Sequence, residues 1–454
     1  MLSEFDKIKL MNWDKLLLTK RLGMEDWDSA KKKEDRSQFQ RDYDRIIFSS
    51  PFRRMQNKTQ IFPLPEHIFV HNRLTHSLEV ASVGRSLGNL LAEKLKNKFG
   101  ENPLVHELGT IVSTACLAHD MGNPPFGHSG EEAISRFFIR GAGNEFATKL
   151  TPGEWKDFTH FDGNANAFRI LTHQFEGKRP GGFALTYSTL ASIVKYPFES
   201  VLATKQKFGF FQSEKEIYNK IATELGISDK SDDYLSFERH PLVFLVEAAD
   251  DICYQIIDLE DAFKLGIISY DKIKRLYLGF YDEKNDKKIF RDINETLSRV
   301  RDKNEQISYL RASVIGKLVY ECIAVFLANH EKIMTGKLQK SLIDLLKDKP
   351  AQAMKEVREI SFSEIYAHRS VVEIEIAGYK IIGTLLEEFV GAIIHPGESY
   401  SKKIISLLPG QYNISSDEIY PKIQSAVDFV SGMTDVYALD LYRKIKGISL
   451  PGIV

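Results

Sequence analysis

The stretch that decides the fold and the site of this chain is Leu104-Val-His-Glu-Leu-Gly-Thr-Ile-Val-Ser-Thr-Ala-Cys-Leu-Ala-His119-Asp120-Met-Gly-Asn-Pro-Pro125. Apolar residues recur at helical spacing up to the His-Asp pair, and Gly122 and Pro124 end the helix just beyond it. The pattern predicts a buried helix that presents an imidazole and a carboxylate at its last turn. Such a pair binds a divalent metal, but two adjacent residues do not complete a coordination shell.

Two other segments supply candidate partners for this pair. His76 falls in the first turn of a long amphipathic helix, and Asp250, Tyr254 and Asp258 follow one another at intervals of four in a helix after Pro241. Their stripe is either a solvated acidic face or an inward set that a metal, a proton or hydrogen bonds must stabilise. Two His and two Asp suit coordination with open positions for water and phosphate oxygens.

The residues after the His-Asp pair suggest acid-base chemistry. Ser129-Gly-Glu-Glu132 has the capping-box pattern, which predicts that Ser129 caps a new helix with Glu131 in its first turn. The short loop before it contains two prolines and holds His128 near the metal. His128 is then a candidate general base or acid that Glu131 orients, and the alternative is a surface His before a capped helix. His160, near another helix start, either assists or lies at the surface.

The order His76, His119-Asp120, Asp250 resembles that of the HD metal-dependent phosphohydrolase superfamily. Nearly the whole chain resembles one branch of it, the deoxyguanosine triphosphate triphosphohydrolase family, through motifs such as His119-Asp-Met-Gly-Asn-Pro-Pro-Phe-Gly-His128. One departure is Asp162, where the family often has Glu. The matching segments are residues 36–63, 119–132, 161–171, 185–191, 195–197, 207–211, 247–254 and 431–443.

We therefore expect a mostly α-helical protein with an HD-domain helical core, appended helices and at most a small β-hairpin near residues 61–70. Residues 1–65 are expected to pack on the core, residues 66–265 to form the metal-binding catalytic core, and residues 266–454 to form a C-terminal helical region. The resemblance implies a deoxynucleoside triphosphate triphosphohydrolase, in which metal-activated water attacks the α-phosphorus and releases deoxynucleoside and triphosphate.

The resemblance also implies a role for each site residue. Mg²⁺ or Mn²⁺ is the expected metal, although Fe or Zn would accept the same donors. The expected metal ligands are His76, His119, Asp120 and Asp250, and the expected catalytic residues are His128, Glu131 and the assisting His160. The expected substrate ligands are Arg73, Lys195, Tyr196 and Lys207 for the triphosphate, Gln60 and Asp258 for the sugar 3′-hydroxyl, Tyr254 for the deoxyribose ring, and Asn164.

Composition and the motifs that the sequence lacks argue against several other classes of protein. Lys plus Arg number 61 against 62 Asp plus Glu, so no global field favours nucleic acid or an anionic membrane. The sequence has no phosphate-binding glycine loop, no HExxH zinc helix and no GxSxG nucleophile elbow. Three Cys give no disulfide framework, and the charged N-terminus and the absence of a long apolar stretch predict a cytoplasmic protein without a membrane segment.

The expected partners are a dNTP substrate and further copies of the chain, with single-stranded DNA or a nucleotide as a candidate regulator. Two other interpretations remain open at this point. Another HD-type nucleotidase or phosphodiesterase would share the four metal ligands but has no reason to carry the segments around Gln60 and Lys207. A non-catalytic nucleotide or nucleic-acid sensor would have no need of both His128 and Glu131.

Overall fold

The computed structural model describes residues 10–26, 36–62, 70–99, 102, 104–231 and 233–449. Throughout these residues the regular structure is helical, and extended segments pair only through five isolated bridges without forming a strand. The predicted mostly α-helical fold class is therefore confirmed. The small hairpin expected near residues 61–70 lies largely outside the described residues.

Twenty α-helices form in this part of the chain. They are α1 (Trp13–Leu16), α2 (Gln38–Ile47), α3 (Ser50–Arg54), α4 (Arg73–Phe99), α5 (Leu108–Ala118), α6 (Gly127–Arg140), α7 (Pro152–Thr159), α8 (Gly163–Thr172), α9 (Tyr187–Ile193), α10 (Lys215–Glu224), α11 (Val243–Lys264), α12 (Tyr270–Leu278), α13 (Lys287–Arg299), α14 (Lys303–Ala328), α15 (His330–Met334), α16 (Asp348–Ile360), α17 (Arg369–Ile394), α18 (Ser399–Ile405), α19 (Ile419–Ser431) and α20 (Asp435–Ile445).

Shorter helical turns connect several of them. The 3₁₀ turns are Met55–Asn57, Val105–Glu107, Ala142–Phe146, Ser200–Leu202, Gln212–Glu214 and Ile343–Leu345. A single π-helical turn, Ser361–Ile365, follows α16. Such turns replace the regular i→i+4 ladder and are common at functional sites, and this one borders the cavity described below.

Local sequence explains the positions of the three helices that carry the predicted metal ligands. Asn72 and Thr75 exchange hydrogen bonds of 2.9 and 3.1 Å at the start of α4, which places His76 in its first turn. Helix α5 ends at Ala118, so His119 lies at its C-terminus as the sequence predicts. Helix α11 buries the apolar side that the sequence predicts, comprising Leu245, Ala249, Ile252, Ile256 and Leu259.

Helices α4 and α5 pack very closely. A Cβ atom added to Gly88 of α4 would lie 2.6 Å from the Cα of Gly109 in α5, so two glycines allow the backbones to touch. Helix α11 packs against both, and α14 covers α4 and α11. Trp13 and Leu16 from the N-terminal segment are buried in the same core. This packing brings the ends of α4 and α5 to the middle of α11.

A second hydrophobic core joins the C-terminal helices to α6. Phe137 and Phe138 of α6 pack with residues of α17, α19 and α20, such as Leu386, Val430 and Ala438. Helix α17 crosses α6 along much of its length. The C-terminal helices therefore pack against α6, the helix that carries the predicted catalytic residues His128 and Glu131.

None of the helices in the described ranges combines the length and the apolar character needed to span a bilayer.

Candidate metal centre and catalytic site

A cavity of about 500 Å³ opens where the predicted site residues meet. Its wall comes from the starts of α4, α6 and α17, the end of α5, the middle of α11 and the π-helical turn. Twelve of the fifteen residues predicted from the sequence line it, which shows that the chain gathers them from distant segments. They are Gln60, Arg73, His119, Asp120, His128, Glu131, Asn164, Lys195, Tyr196, Lys207, Asp250 and Tyr254.

The His119 ring is oriented like that of a metal-binding histidine. Its Nδ1 lies 2.6 Å from the backbone oxygen of Cys116. Since a carbonyl only accepts, Nδ1 carries a proton, and Nε2 is the nitrogen that can bind a cation in place of its own proton. Nε2 is buried and makes no hydrogen bond to any described residue. The nearest carboxylate oxygens, from Asp250 and Asp120, lie at 3.4 and 3.6 Å.

His76 and Asp250 complete the cluster. The Nε2 of His76 lies 3.2 Å from Oδ1 of Asp250, and its ring centroid is 5.6 Å from that of His119. Burial lowers the pKa of His119, but the carboxylates of Asp120 and Asp250 outweigh burial and raise it to about 9. Burial likewise raises the pKa of Asp250, but the two imidazoles hold it well below its usual value. The carboxylates of Asp120 and Asp250 therefore stabilise positive charge next to the two imidazoles.

These residues fit a divalent cation. Ligand atoms of His76, His119 and Asp120 lie within 4.8 Å of one another, and Asp250 contacts both rings. The unpaired Nε2 of His119 points to a partner of the kind that an imidazole lone pair binds. Two imidazoles and two carboxylates are donors that Mn²⁺, Fe, Zn and, through the carboxylates, Mg²⁺ accept.

Asp120 is held by two neighbours. Its Oδ2 accepts a hydrogen bond from Nη1 of Arg73 at 2.7 Å, and its Oδ1 accepts one from Nδ2 of Asn123 at 2.6 Å. The guanidinium of Arg73 is buried, and its Nε has no partner within the described structure. Arg73 thus lines the cavity as predicted, but one of its N–H groups donates to Asp120, a predicted metal ligand.

The backbone between Asp120 and His128 adopts an uncommon conformation. Phe126 and Gly127 both have left-handed φ angles, of 62° and 58°. A side chain at position 127 would also collide with Arg73, because an added Cβ would lie 2.6 Å from Nη2. Helix α6 begins at Gly127, and Ser129 donates to the carbonyl of Phe126 instead of capping the helix. The predicted capping box is therefore wrong: the N-cap is Phe126, in the left-handed turn, and the helix starts three residues earlier than predicted.

His128 and Glu131 form a hydrogen-bonded pair facing the cavity. The Nδ1 of His128 lies 2.9 Å from Oε2 of Glu131, and the His side chain is 78% exposed against 9% for Glu131. The backbone N–H of Gly163 donates to the other oxygen of Glu131 at 2.7 Å, which fixes the carboxylate. The hydrogen bond that His128 donates to the Glu131 carboxylate raises the pKa of His128 above its usual value. His128 thus keeps its proton more readily than an isolated histidine.

Lysines line the side of the cavity beyond this pair. The Nζ of Lys207 lies 3.1 Å from Oδ1 of Asp162 and 3.6 Å from Oε2 of Glu131. The Nζ of Lys195 lies 3.2 Å from Oε1 of Glu247. Burial lowers the pKa of each lysine, but the neighbouring carboxylates raise it by a larger amount. The pKa of each lysine therefore lies above its usual value, and both ammonium groups stay charged.

Two tyrosines also line the cavity and form the tyrosine wall. The rings of Tyr254 and Tyr366 stack with centroids 5.7 Å apart and planes 30° apart. The hydroxyl of Tyr366 donates to Oδ2 of Asp258 at 3.0 Å, and Asp258 does not line the cavity. The amide oxygen of Gln60 is buried nearby without a hydrogen-bond partner among the described groups. Gln60 and Tyr254 therefore reach the cavity as predicted, whereas Asp258 is bound to a residue that the prediction did not include.

His160 is also not part of the cavity lining. Its ring lies between Thr159 and Lys156, with contacts of 3.1 and 3.4 Å. Tyr366 and Asn123 are the important residues that sequence reasoning missed. Asn123 stands three residues after Asp120 in the quoted motif, a signal that was available. Tyr366 follows a π-helical turn far along the chain, and no local sequence pattern predicts that it lines the cavity.

Comparison with protein families finds two matching models. The model described as the HD domain matches residues 73–262, and the model described as a phosphohydrolase-associated domain matches residues 345–444. The first match contains all four proposed metal ligands, and the second contains Tyr366 and most of the C-terminal helices of the second core.

Curated relatives are similar over almost the entire chain. A deoxyguanosinetriphosphate triphosphohydrolase-like protein of Synechocystis is 39% identical, over 97% of this chain and 100% of the relative. A protein of the same name from Pseudomonas aeruginosa is 37% identical with the same coverage. The deoxyguanosinetriphosphate triphosphohydrolase of Yersinia enterocolitica is 28% identical, over 90% of this chain and 93% of the relative.

The cluster of His76, His119, Asp120 and Asp250 generates a testable prediction about metal binding. Asp250→Ala should weaken Mn²⁺ binding by at least about 100-fold, because even residues that only orient metal ligands change affinity 10–100-fold. Titration calorimetry with Mn²⁺ alone measures this without substrate. Asp271→Ala, at the exposed first turn of α12, is the matched control and should bind Mn²⁺ normally. Unchanged Mn²⁺ affinity in Asp250→Ala would exclude Asp250 as a ligand.

Proposed function

The chain belongs to the deoxyguanosinetriphosphate triphosphohydrolase family of HD-domain proteins, and from this premise we propose how its site acts on a deoxynucleoside triphosphate. The protein is a deoxynucleoside triphosphate triphosphohydrolase, which releases deoxynucleoside and intact triphosphate. The observation that carries the proposal is one cavity that joins an unpaired metal-binding nitrogen of His119 to the His128–Glu131 pair. Charged lysines and the Tyr254–Tyr366 pair line the same space.

His76, His119, Asp120 and Asp250 would hold the divalent ion on which HD phosphohydrolases depend. When bound, such an ion polarises a phosphoryl oxygen and lowers the pKa of water. Mg²⁺ or Mn²⁺ is our proposed metal, while Fe or Zn remains compatible with the donor set.

His128 is proposed to supply the proton to the leaving group. Attack of water on the α-phosphorus forms a P–O bond and breaks the bond to the 5′-oxygen, which needs a proton to leave as a hydroxyl. Glu131 accepts from Nδ1, so Nε2 of His128 remains available to donate into the cavity. The raised pKa of His128 favours its protonated form more than in an isolated histidine. This favours the acid role over the base role, which the sequence left open.

The triphosphate is proposed to lie against Arg73, Lys195 and Lys207. All three line the cavity, and their cationic groups are held by the carboxylates of Asp120, Glu247 and Asp162. Such partners orient a cation while leaving further donors for phosphate oxygens. Tyr196 and Asn164, which line the same space, are proposed as additional ligands.

The deoxyribose is proposed to pack against the Tyr254–Tyr366 stack, with Gln60 at the 3′-hydroxyl. The unpaired buried oxygen of Gln60 accepts a donor such as a hydroxyl, which would remove the cost of leaving it unpaired. The predicted contact of Asp258 with the sugar requires Tyr366 to release it. That contact, the assistance of His160, assembly into a homo-oligomer, and regulation by single-stranded DNA or a nucleotide stay predictions.

Position of bond cleavage tests the proposed reaction. Hydrolysis of dGTP in ¹⁸O-labelled water with Mg²⁺ or Mn²⁺ should place the label in triphosphate and leave the deoxynucleoside unlabelled, because water attacks phosphorus. Mass spectrometry of the separated products measures it. Monophosphate or pyrophosphate as the first product would instead indicate a nucleotidase-type HD enzyme, and no turnover of any dNTP would indicate a sensor.

The pH dependence of kcat tests the role of His128. Since the protonated imidazole is the donor, kcat should fall as pH rises through the raised pKa of His128, above about 6.5. Glu131→Gln removes the charge that raises this pKa, so the falling limb should move to lower pH. His128→Ala should lower kcat by roughly 10²–10⁴-fold with metal content unchanged.

Glu132→Gln is the matched control, because Glu132 is the exposed neighbour of Glu131. Its pH profile should match that of the unmodified protein. A limb that stays in place in Glu131→Gln would refute the acid role of His128.

Sugar discrimination tests the tyrosine wall. If Tyr254 packs against C2′, a 2′-hydroxyl has no room and no partner, so kcat/KM for dGTP should exceed that for GTP by roughly 10². Tyr254→Ala should narrow this ratio, whereas Tyr320→Ala, at a surface site that is 68% exposed, should preserve it. Equal use of GTP and dGTP by the unmodified protein would show that this wall does not read the sugar.

A further inference from the structure

Asp435 is a buried carboxylate that reaches the catalytic loop from near the end of the chain. It is the first residue of α20 and is 7% exposed. Its Oδ1 accepts a hydrogen bond from the backbone N–H of Phe126 at 3.0 Å. Its Oδ2 accepts one from the backbone N–H of Thr59 at 2.8 Å. One side chain therefore joins two segments that are more than sixty residues apart in sequence.

Both segments carry predicted site residues. Thr59 immediately precedes Gln60, and Phe126 stands two residues before His128. Phe126 also has the left-handed φ of 62°, a conformation that residues with a side chain rarely adopt without outside support. The hydrogen bond to Asp435 is such support, and it fixes the direction from which α6 and His128 enter the cavity.

A capping role does not account for this carboxylate. Acidic residues often stabilise the first turn of a helix by accepting from its N–H groups. In α20 that position is filled by Thr434, whose hydroxyl accepts from the N–H of Tyr437 at 3.2 Å. The hydrogen bonds that Asp435 accepts from Phe126 and Thr59 instead join it to segments outside its own helix.

The neighbouring side chain of Lys58 strengthens the same junction. The Nζ of buried Lys58 donates to the carbonyl of Asn123 at 2.5 Å and to the carbonyl of Ser431 at 3.1 Å. Residues 58 and 59 are thus tied to the loop after Asp120 and to the region around α20 at once. The junction consists of backbone groups held by the side chains of Lys58 and Asp435.

We propose that Asp435 is a positioning residue for the hydrolysis, which sets His128 and Gln60 at their working separation across the cavity. It lies outside the cavity lining and touches no proposed ligand of substrate or metal. The inference rests on the proposed roles of His128 and Gln60. Because a displacement of about 1 Å in a reacting group costs up to about 10²-fold in rate, loss of Asp435 should lower kcat and leave Mn²⁺ affinity unchanged.

Asp435→Ala, Asp435→Asn and the control Asp440→Asn test the proposal. Asp440 lies on the same helix, half exposed, in a pair with Lys444. We expect kcat for dGTP to fall by about 10²-fold in Asp435→Ala. Asp435→Asn should lose less, because its amide keeps one acceptor oxygen, and Asp440→Asn should lose nothing. Wild-type kcat in Asp435→Ala, or an equal loss in Asp440→Asn, overturns the proposal.

A second readout in the substrate-free protein separates positioning from folding. Hydrogen exchange with mass spectrometry should show faster exchange in Asp435→Asn confined to the peptides around residues 57–62 and 121–130, with an unchanged melting temperature. Exchange that rises throughout the protein, or in neither peptide, overturns the proposal. If the unmodified protein proves inactive on dNTPs, the proposed function fails, while the exchange pattern still decides whether Asp435 holds the two segments together.

Discussion

The fixed backbone between Asp120 and His128 is the constraint on which the rest of the site depends. Three distant parts of the chain hold it: Asn166 donates to the carbonyl of Gly122 at 2.7 Å, Lys58 to that of Asn123, and Asp435 accepts from the N–H of Phe126. The left-handed conformation at Phe126 costs about 1–2 kcal/mol, which these contacts offset. The connection therefore links the proposed metal ligands rigidly to the proposed acid-base pair, and rigid links keep reacting groups at working distance.

Opposite charges, arranged in a chain of contacts, hold the site ready for its substrate. Asp120 faces both the proposed metal position and Arg73, and Glu131 faces both His128 and Lys207. Each carboxylate thus contacts one group that is proposed to act on the phosphate and is itself held by a second neighbour. Buried charges without such partners would be strongly destabilising. The same arrangement that makes the cluster stable also sets the raised pKa of His128.

The C-terminal helices build the site as much as they cover it. Tyr366 forms part of the cavity wall, Asp435 holds two site segments, and Gly378 of α17 packs on Phe126, where an added Cβ would lie 2.8 Å from the Phe126 Cβ. The expected division into a catalytic core of residues 66–265 and a separate C-terminal region remains a description of sequence segments. In the folded chain, the cavity draws on residues from both.

The sequence by itself determined the helices, because apolar spacing and end signals act within a few residues. It also determined the candidate ligands, because His76, His119, Asp120 and Asp250 stand at helix positions that the pattern fixes. The helix start at Gly127 depended instead on contacts of Phe126 with distant groups, so the local capping pattern misplaced it. Which residues share the cavity was likewise a tertiary matter: Tyr366 enters it while Asp258 does not, because long-range packing, which no local pattern encodes, sets their positions.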